Sequence, residues 1–222
     1  MIYTHNIDPI IVSIGFIDLY WYGAMYAISF LIIDYMMKAN YFHFNIHNLS
    51  STQFDKILLV SLVSLLLGGR LGYVIFYNFD YYLLFPIKTL FIWEGGMSFH
   101  GALLGVIFAI FWLRKPINLS YLQLSDLIVL YVPIGLFFGR LGNFINAELY
   151  GTPTNSSWGI IFPTVDSMPR HPSMLYEAVL EGVVLFSILL YLSRKHLITS
   201  GFLTSIFLIF YSIFRFMIEF VR

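Results

Sequence analysis

The sequence predicts an all-α, polytopic integral membrane protein, and three observations carry that reading. Of its 222 residues, 59% are hydrophobic and only 11% charged, with a mean hydropathy of +0.81; a soluble domain usually carries about 25% charged residues. Six segments stay apolar over close to the roughly 20 residues that a bilayer-crossing helix needs. Ionisable residues recur inside those segments, which a simple anchor would not require. Other classes are excluded by the same composition. Twelve Lys/Arg balance twelve Asp/Glu without a basic run, which argues against nucleic-acid binding. The absence of cysteine rules out disulfides, zinc–thiolate centres and a cysteine nucleophile.

Taken in order, the expected spans are Leu19–Met37, Ile57–Tyr77, Met97–Leu113, Leu122–Phe138, Ser173–Leu192 and Phe202–Phe220. The apolar stretch Tyr81–Trp93 contains Pro86 and reads as a re-entrant or interfacial piece; further short elements are expected on the outer side. No secretory signal is visible, because the first apolar run follows a Lys/Arg-free N-terminus and lacks a small-residue cleavage site. Lys38 and Lys56, Arg114 and Lys115, and Arg194 and Lys195 fall in alternate loops, against Lys88 and Arg170 in the others. The positive-inside rule therefore predicts an N-terminus outside. No repeat or linker interrupts the chain, so residues 1–222 read as one transmembrane domain.

The informative residues are the charges. Arg70 lies about seven residues, or roughly 10 Å of helix rise, inside the second span. His100 starts the third, Asp126 lies near the inner start of the fourth, and Arg140 closes the fourth outside. Glu177 and Glu181 are an i,i+4 pair in the fifth. Tyr211, Arg215, Glu219 and Arg222 share one face of the sixth. In this topology His100, Arg140, Glu148, Glu177, Arg215, Glu219 and Arg222 fall at one depth, in the outer leaflet. Buried ion pairs would explain any one of them; the set at one depth favours a site. Several guanidiniums among carboxylates suit a phosphate, whose oxygens they match bidentately. Glycines flank Arg70 (Gly68, Gly69, Gly72) and Arg140 (Gly139, Gly142), permitting close approach of either a ligand or a second helix. Gly-Arg-Leu-Gly occurs at both places, but nothing around it repeats.

Five ordered motifs then resemble one family. They are Gly139-Arg-Leu-Gly-Asn-Phe-Ile-Asn-Ala-Glu-Leu-Tyr-Gly151, Gly68-Gly-Arg-Leu-Gly-Tyr73, Gly95-Gly-Met-Ser-Phe-His-Gly101, Arg170-His-Pro-Ser-Met-Leu-Tyr-Glu177 and Phe214-Arg-Phe-Met-Ile-Glu-Phe-Val-Arg222, with Trp21-Tyr22-Gly23 beside them. Together they resemble the bacterial prolipoprotein diacylglyceryl transferases. The resemblance implies transfer of the diacylglyceryl group of phosphatidylglycerol to the lipobox cysteine thiol of a prolipoprotein signal peptide, forming a thioether and releasing glycerol phosphate. It implies a multi-pass enzyme of the bacterial inner membrane, working toward the outer leaflet among membrane lipids, with no cofactor and no metal.

Carried over residue by residue, the resemblance makes His100 the base that deprotonates the thiol, a role its ordinary pKa of about 6.5 suits. Arg140 and Arg215 match the phosphate binders that stabilise the leaving group. Asn143, Asn146, Glu148 and Gly151 belong to the signature and orient the headgroup or Arg140. Tyr22, Tyr211, Glu219 and Arg222 complete the substrate-binding set. Arg70 reads as an inner ligand or as a structural partner of Asp126 or Glu181, with structure preferred. His171-Pro172 reads as a helix start capped by Ser173. The loop Thr152–Pro169 reads equally as a cover or a connector. Two departures stand out: the family usually has Gly at Ala147 and Gln at Met174. The family also has a seventh span, which a chain ending at Arg222 is expected to lack. Two rival readings are an anion transporter, which predicts charges continuing through the inner half, and a membrane scaffold with structural ion pairs.

Overall fold

The structure, a computed structural model, describes residues 2–15, 17–39, 49–92, 95–194 and 199–222. Among the described residues, five helices are long and apolar enough to cross a membrane: Ser51–Phe76, Phe99–Ile117, Tyr121–Ile145, Ser173–Ser193 and Phe202–Glu219. They correspond to five of the six expected spans. The first expected span is an 18-residue helix, α1 (Trp21–Lys38), but it is not among those five. Tyr22, Tyr26, Asp34, Tyr35 and Lys38 dilute its apolar character, and Lys38 pairs with Asp34 one turn back at 2.8 Å. The chain falls into two compact units, Ile46–Ser125 and the combination of Met1–Asn45 with Asp126–Arg222. Two positions used above, Trp93 and Lys195, lie outside the described residues.

In the Ile46–Ser125 unit, α2 (Ser51–Phe76) starts earlier than hydropathy alone predicts. Ser50 accepts from the Gln53 N–H while the Gln53 side chain accepts from the Ser50 N–H, so two otherwise orphaned donors are satisfied reciprocally. Helix α4 (Phe99–Ile117) is capped by Ser98, whose hydroxyl accepts from Gly101 N–H at 3.2 Å. These two helices touch along Gly68, Gly72, Gly101 and Gly105. A Cβ on Gly68 would collide with the Gly101 carbonyl, and one on Gly105 with the Ser64 carbonyl. Gly68 and Gly72 beside Arg70 therefore serve helix packing, where small residues let two backbones meet.

Between them lie α3 (Phe79–Leu84) and a 3₁₀ turn at Pro86–Leu90, in the stretch expected to be re-entrant. This segment surrounds Arg70, which is 3% exposed. Nε donates to Thr89 O at 2.9 Å, Nη2 to Lys88 O at 2.7 Å and Phe91 O at 3.0 Å, and Nη1 to Gly96 O at 3.2 Å and to Gly95 O. The Tyr82 ring covers its face at 5.2 Å. A guanidinium has five N–H donors, and five backbone carbonyls meet them. Arg70 is structural, as preferred, but its partners are carbonyls rather than Asp126 or Glu181.

The other unit carries a small β head and a bundle. Strand β1 (Tyr3–Thr4) pairs in parallel with β4 (Ile160–Ile161), which pairs antiparallel with β5 (Pro169–Arg170). A second pair, β2 (Ile10–Ile14) and β3 (Ile17–Tyr20), leads straight into α1. The head packs around Ile160, Phe162 and Met174. Met174 is fully buried there, which gives its thioether an apolar place that an amide would have to fill with hydrogen bonds.

The bundle of this unit contains α5 (Tyr121–Ile145) from Asp126 onward, α6 (Ser173–Glu177), a π-helical run at Ala178–Val184, α7 (Leu185–Ser193) and α8 (Phe202–Glu219). Pro133 lies inside α5. The expected Ser173 cap is not formed: Pro172 is the capping position, and Ser173 Oγ donates instead to Leu149 O at 2.8 Å. The N–H of Ser173 donates to His171 O at 2.9 Å and those of Leu175 and Tyr176 to Pro172 O at 2.9 and 3.3 Å, so the serine hydroxyl is free to fasten the signature stretch to the helix start. Asp126 accepts from Gly201 N–H at 2.7 Å and from Thr204 N–H and Oγ1 at 2.8 and 2.6 Å.

Candidate active site

Glu177 stands at the centre of the charged cluster. It ends α6, its side chain is fully buried, and three arginines converge on it. Arg215 Nη1 donates to Glu177 Oε1 at 2.7 Å, and Arg215 Nη2 donates to Glu219 Oε2 at 2.7 Å. Arg222 Nη1 lies 4.0 Å from oxygens of both Glu177 and Glu219. Arg140 Nε approaches Glu177 Oε2 to 2.6 Å as an ion pair. Arg140 Nη2 lies 3.7 Å from Glu181 Oε2. Both Glu181 oxygens are buried.

The signature stretch closes the other side of Arg140. Its Nη1 makes a long 3.4 Å hydrogen bond to Asn143 Oδ1. Asn143 Nδ2 and Asn146 Nδ2 both donate to Glu148 Oε1, at 2.9 and 3.3 Å. Glu148 is presented between two left-handed residues, Ala147 at φ 54° and Leu149 at φ 58°. Tyr22 lies against Gly142, where any Cβ would press on its ring, and its hydroxyl is 3.2 Å from that of Tyr26. At Gly139, one residue before Arg140, an added Cβ would meet only open space. The two glycines beside Arg140 thus differ: one receives an aromatic ring and the other leaves room.

Donor accounting separates the three in-span arginines. Arg70 has all five N–H groups engaged by carbonyls, and Arg215 has two short charge-assisted bonds. Arg140, 18% exposed, has one long hydrogen bond among the described residues. A guanidinium held mainly by ion pairs can still offer N–H groups to an oxyanion.

The chain matches the family model described as prolipoprotein diacylglyceryl transferase over residues 9–222. It is 48% identical over 217 residues to the phosphatidylglycerol–prolipoprotein diacylglyceryl transferase of Pseudoalteromonas atlantica, covering 98% of this chain and 76% of that protein. Proteins of the same name from Geobacter sulfurreducens and Rickettsia felis are 44% and 46% identical, each over 219 residues covering 98% of this chain, and over 83% and 84% of their own lengths. This chain belongs to the prolipoprotein diacylglyceryl transferase family. It is a membrane transferase.

For a diacylglyceryl transferase the cluster gathers most of the expected residues. Arg140, Arg215, Asn143, Asn146, Glu148, Glu219, Arg222 and Tyr22 all lie in the unit just described. Tyr211 lies one helical turn before Arg215 on α8 and stacks on Phe207 at 5.6 Å. Gly151 is placed differently. It is wedged between Val221 and His171, donates its N–H to His171 O at 2.8 Å, and leaves no room for a Cβ, so its contacts close the backbone behind the signature. His100 lies in the Ile46–Ser125 unit, exposed on the first turn of α4 beside the Phe99 ring. His171 does start a helix, and its Nδ1 is 3.1 Å from the Tyr176 hydroxyl, which also accepts from Trp158 Nε1 at 2.9 Å. In the same loop Arg170 grips Asp166, with Nε to Oδ2 at 3.2 Å, and this hydrogen bond holds the Asp166 carboxyl below the usual range. The residue sequence reasoning undervalued is Glu177. Its position in a span and its i,i+4 relation to Glu181 were the available signal; that it anchors three arginines was not readable from spacing.

Proposed function

We propose that the chain moves the diacylglyceryl group of phosphatidylglycerol onto the lipobox cysteine thiol of a prolipoprotein. The thiol sulfur forms a bond to the glycerol carbon, the carbon–oxygen bond to phosphate breaks, and glycerol phosphate leaves. What supports this reading, beside the family, is the state of Arg140: positioned by buried carboxylates, with open space at Gly139, and with one long hydrogen bond, to Asn143, beside its ion pairs among the described residues. Arg140 and Arg215 hold the phosphate and take the charge that develops on the leaving oxygen. Asn143, Asn146 and Glu148 orient the headgroup hydroxyls, with Tyr22, Tyr211, Glu219 and Arg222 around them and Gly151 closing the backbone. The thiol proton passes to His100. Residues 1–222 act as one catalytic domain in the bacterial inner membrane, N-terminus outside and site toward the outer leaflet.

The test uses this chain in vesicles of phosphatidylglycerol with a lipobox peptide and follows glycerol phosphate release. Arg140→Ala and Arg140→Lys are compared at matched folded amounts. Wild type should release glycerol phosphate only when the peptide carries its cysteine. Both variants should lose roughly a hundredfold or more, as removal of one oxyanion donor does elsewhere, because lysine lacks the planar fork. Near-normal turnover with lysine would remove the bidentate phosphate from the mechanism. No release from a folded wild type would overturn the transfer step proposed for this chain.

A further inference from the structure

Helix α8 does not cap itself. Its capping position is Gly201, at φ 90°, which has no side chain to offer the free N–H groups of the first turn. The acceptor comes from another helix: Asp126 of α5, 1% exposed, takes the N–H groups of Gly201 and Thr204 and the Thr204 hydroxyl. A buried carboxylate is costly unless its charge and lone pairs are met. Here three hydrogen bonds and the positive end of the α8 dipole meet them. The bond therefore joins the start of α8 to one height on α5.

That height is matched to the cluster at the other end. Arg140 lies 14 residues after Asp126 on α5, and Arg215 lies 14 residues after Gly201 on α8. Fourteen helical residues rise about 21 Å and return to nearly the same face. Two helices running from a common pin thus bring their arginines to equal depth, where the two oxygens of Glu177 receive one each. We infer that Asp126 is a positioning residue for the transfer site: by capping α8 from α5 it sets the axial register that places Arg215 level with Arg140. The inference rests on the phosphate-binding role proposed above, but the register itself does not.

The experiment exploits a chain without cysteines. Spin labels on Phe138→Cys and Ile213→Cys, neither of which is in the cluster, report the α5–α8 distance near the arginines in lipid nanodiscs. Asp126→Ala, Asp126→Asn and Thr204→Val are compared with the unmodified register, and kcat and KM for phosphatidylglycerol are measured on the same proteins without labels. Asp126→Ala should shift or broaden the distance distribution and lower kcat/KM tenfold or more, with KM for the lipid rising, at matched folded amounts. Asp126→Asn keeps one acceptor oxygen and should recover part of both readouts. Thr204→Val keeps both backbone bonds and should lose least. A folded Asp126→Ala with the wild-type distance and wild-type kinetics overturns the inference. Should Asp126→Ala not fold, an Asp126→Asn protein with unchanged distance and kinetics overturns it equally. A distance that depends on Asp126 in a wild type that transfers nothing would leave the register standing and reject the proposed function instead.

Discussion

Arg70, Arg140 and Arg215 satisfy one sequence criterion, a guanidinium inside an apolar helix, and occupy three different environments. The criterion marks all three as costly and therefore meaningful, but whether a donor ends on a carbonyl or a carboxylate depends on segments far away in sequence. Lys88, Thr89 and Phe91 reach Arg70 from 18 or more residues beyond it. Ala147 carries the opposite lesson. The family's usual glycine at this position has a local cause, since Ala147 adopts φ 54° beside the signature glutamate. That conformation costs a residue with a Cβ roughly 1–2 kcal/mol, and glycine's greater freedom when unfolded offsets about 0.4–1 kcal/mol of any relief. Ala147→Gly should therefore raise stability by about 1 kcal/mol, visible as a higher midpoint in thermal unfolding; an unchanged or lower midpoint would show that the site relieves the strain another way.

At the scale of elements, the helices were legible from hydropathy and their ends were not. The start of α2 depends on a Ser50–Gln53 exchange, and that of α6 on a proline that displaced the expected serine cap. Glycine was equally ambiguous in sequence, permitting either a ligand or a helix. The α2–α4 contact resolves it for Gly105, where Ala should cost about 1–3 kcal/mol by overpacking. Gly139 faces open space, and Ala there should leave the unfolding midpoint at or above wild type, since alanine is the better helix former. Equal losses at the two positions would contradict the packing described. The β4–β5 hairpin makes a pH prediction. Hydrogen bonding to Arg170 lowers the folded-state pKa of Asp166, so its contribution is present above the ordinary carboxylate value of about 3.9 and is lost as pH falls through the lowered folded value. Hydrogen exchange of residues 159–170 should accelerate below about pH 4, and Asp166→Asn should remove that step. Exchange that is pH-corrected and flat in wild type would dissociate the ion pair from hairpin stability.

For the molecule as a whole, composition alone identified a polytopic membrane protein, because 11% charged residues cannot furnish a wetted surface. What composition did not convey was the division into two units, with the expected base and the expected phosphate ligands in different ones. That division follows from which helices pack, not from any change of composition along the chain. The alternation of Lys/Arg between loops predicts the orientation that labelling will report. In intact cells a membrane-impermeant maleimide should modify Ser13→Cys and spare Asn118→Cys until the membrane is opened. The reverse pattern would invert the topology and move the arginine cluster to the opposite leaflet.

The parallel pairing of β1 with β4 bears on how such a protein is made. Tyr3 leaves the ribosome before its partner Ile160, which follows 157 residues later. At about 5–20 residues per second, the first strand waits roughly 8–30 s while intervening helices are made and inserted. His5, which packs against Phe144 and Phe162, shares that wait. The head is thus completed by strands made far apart in time, and biogenesis must keep the earlier one unpaired and unaggregated until its partner arrives.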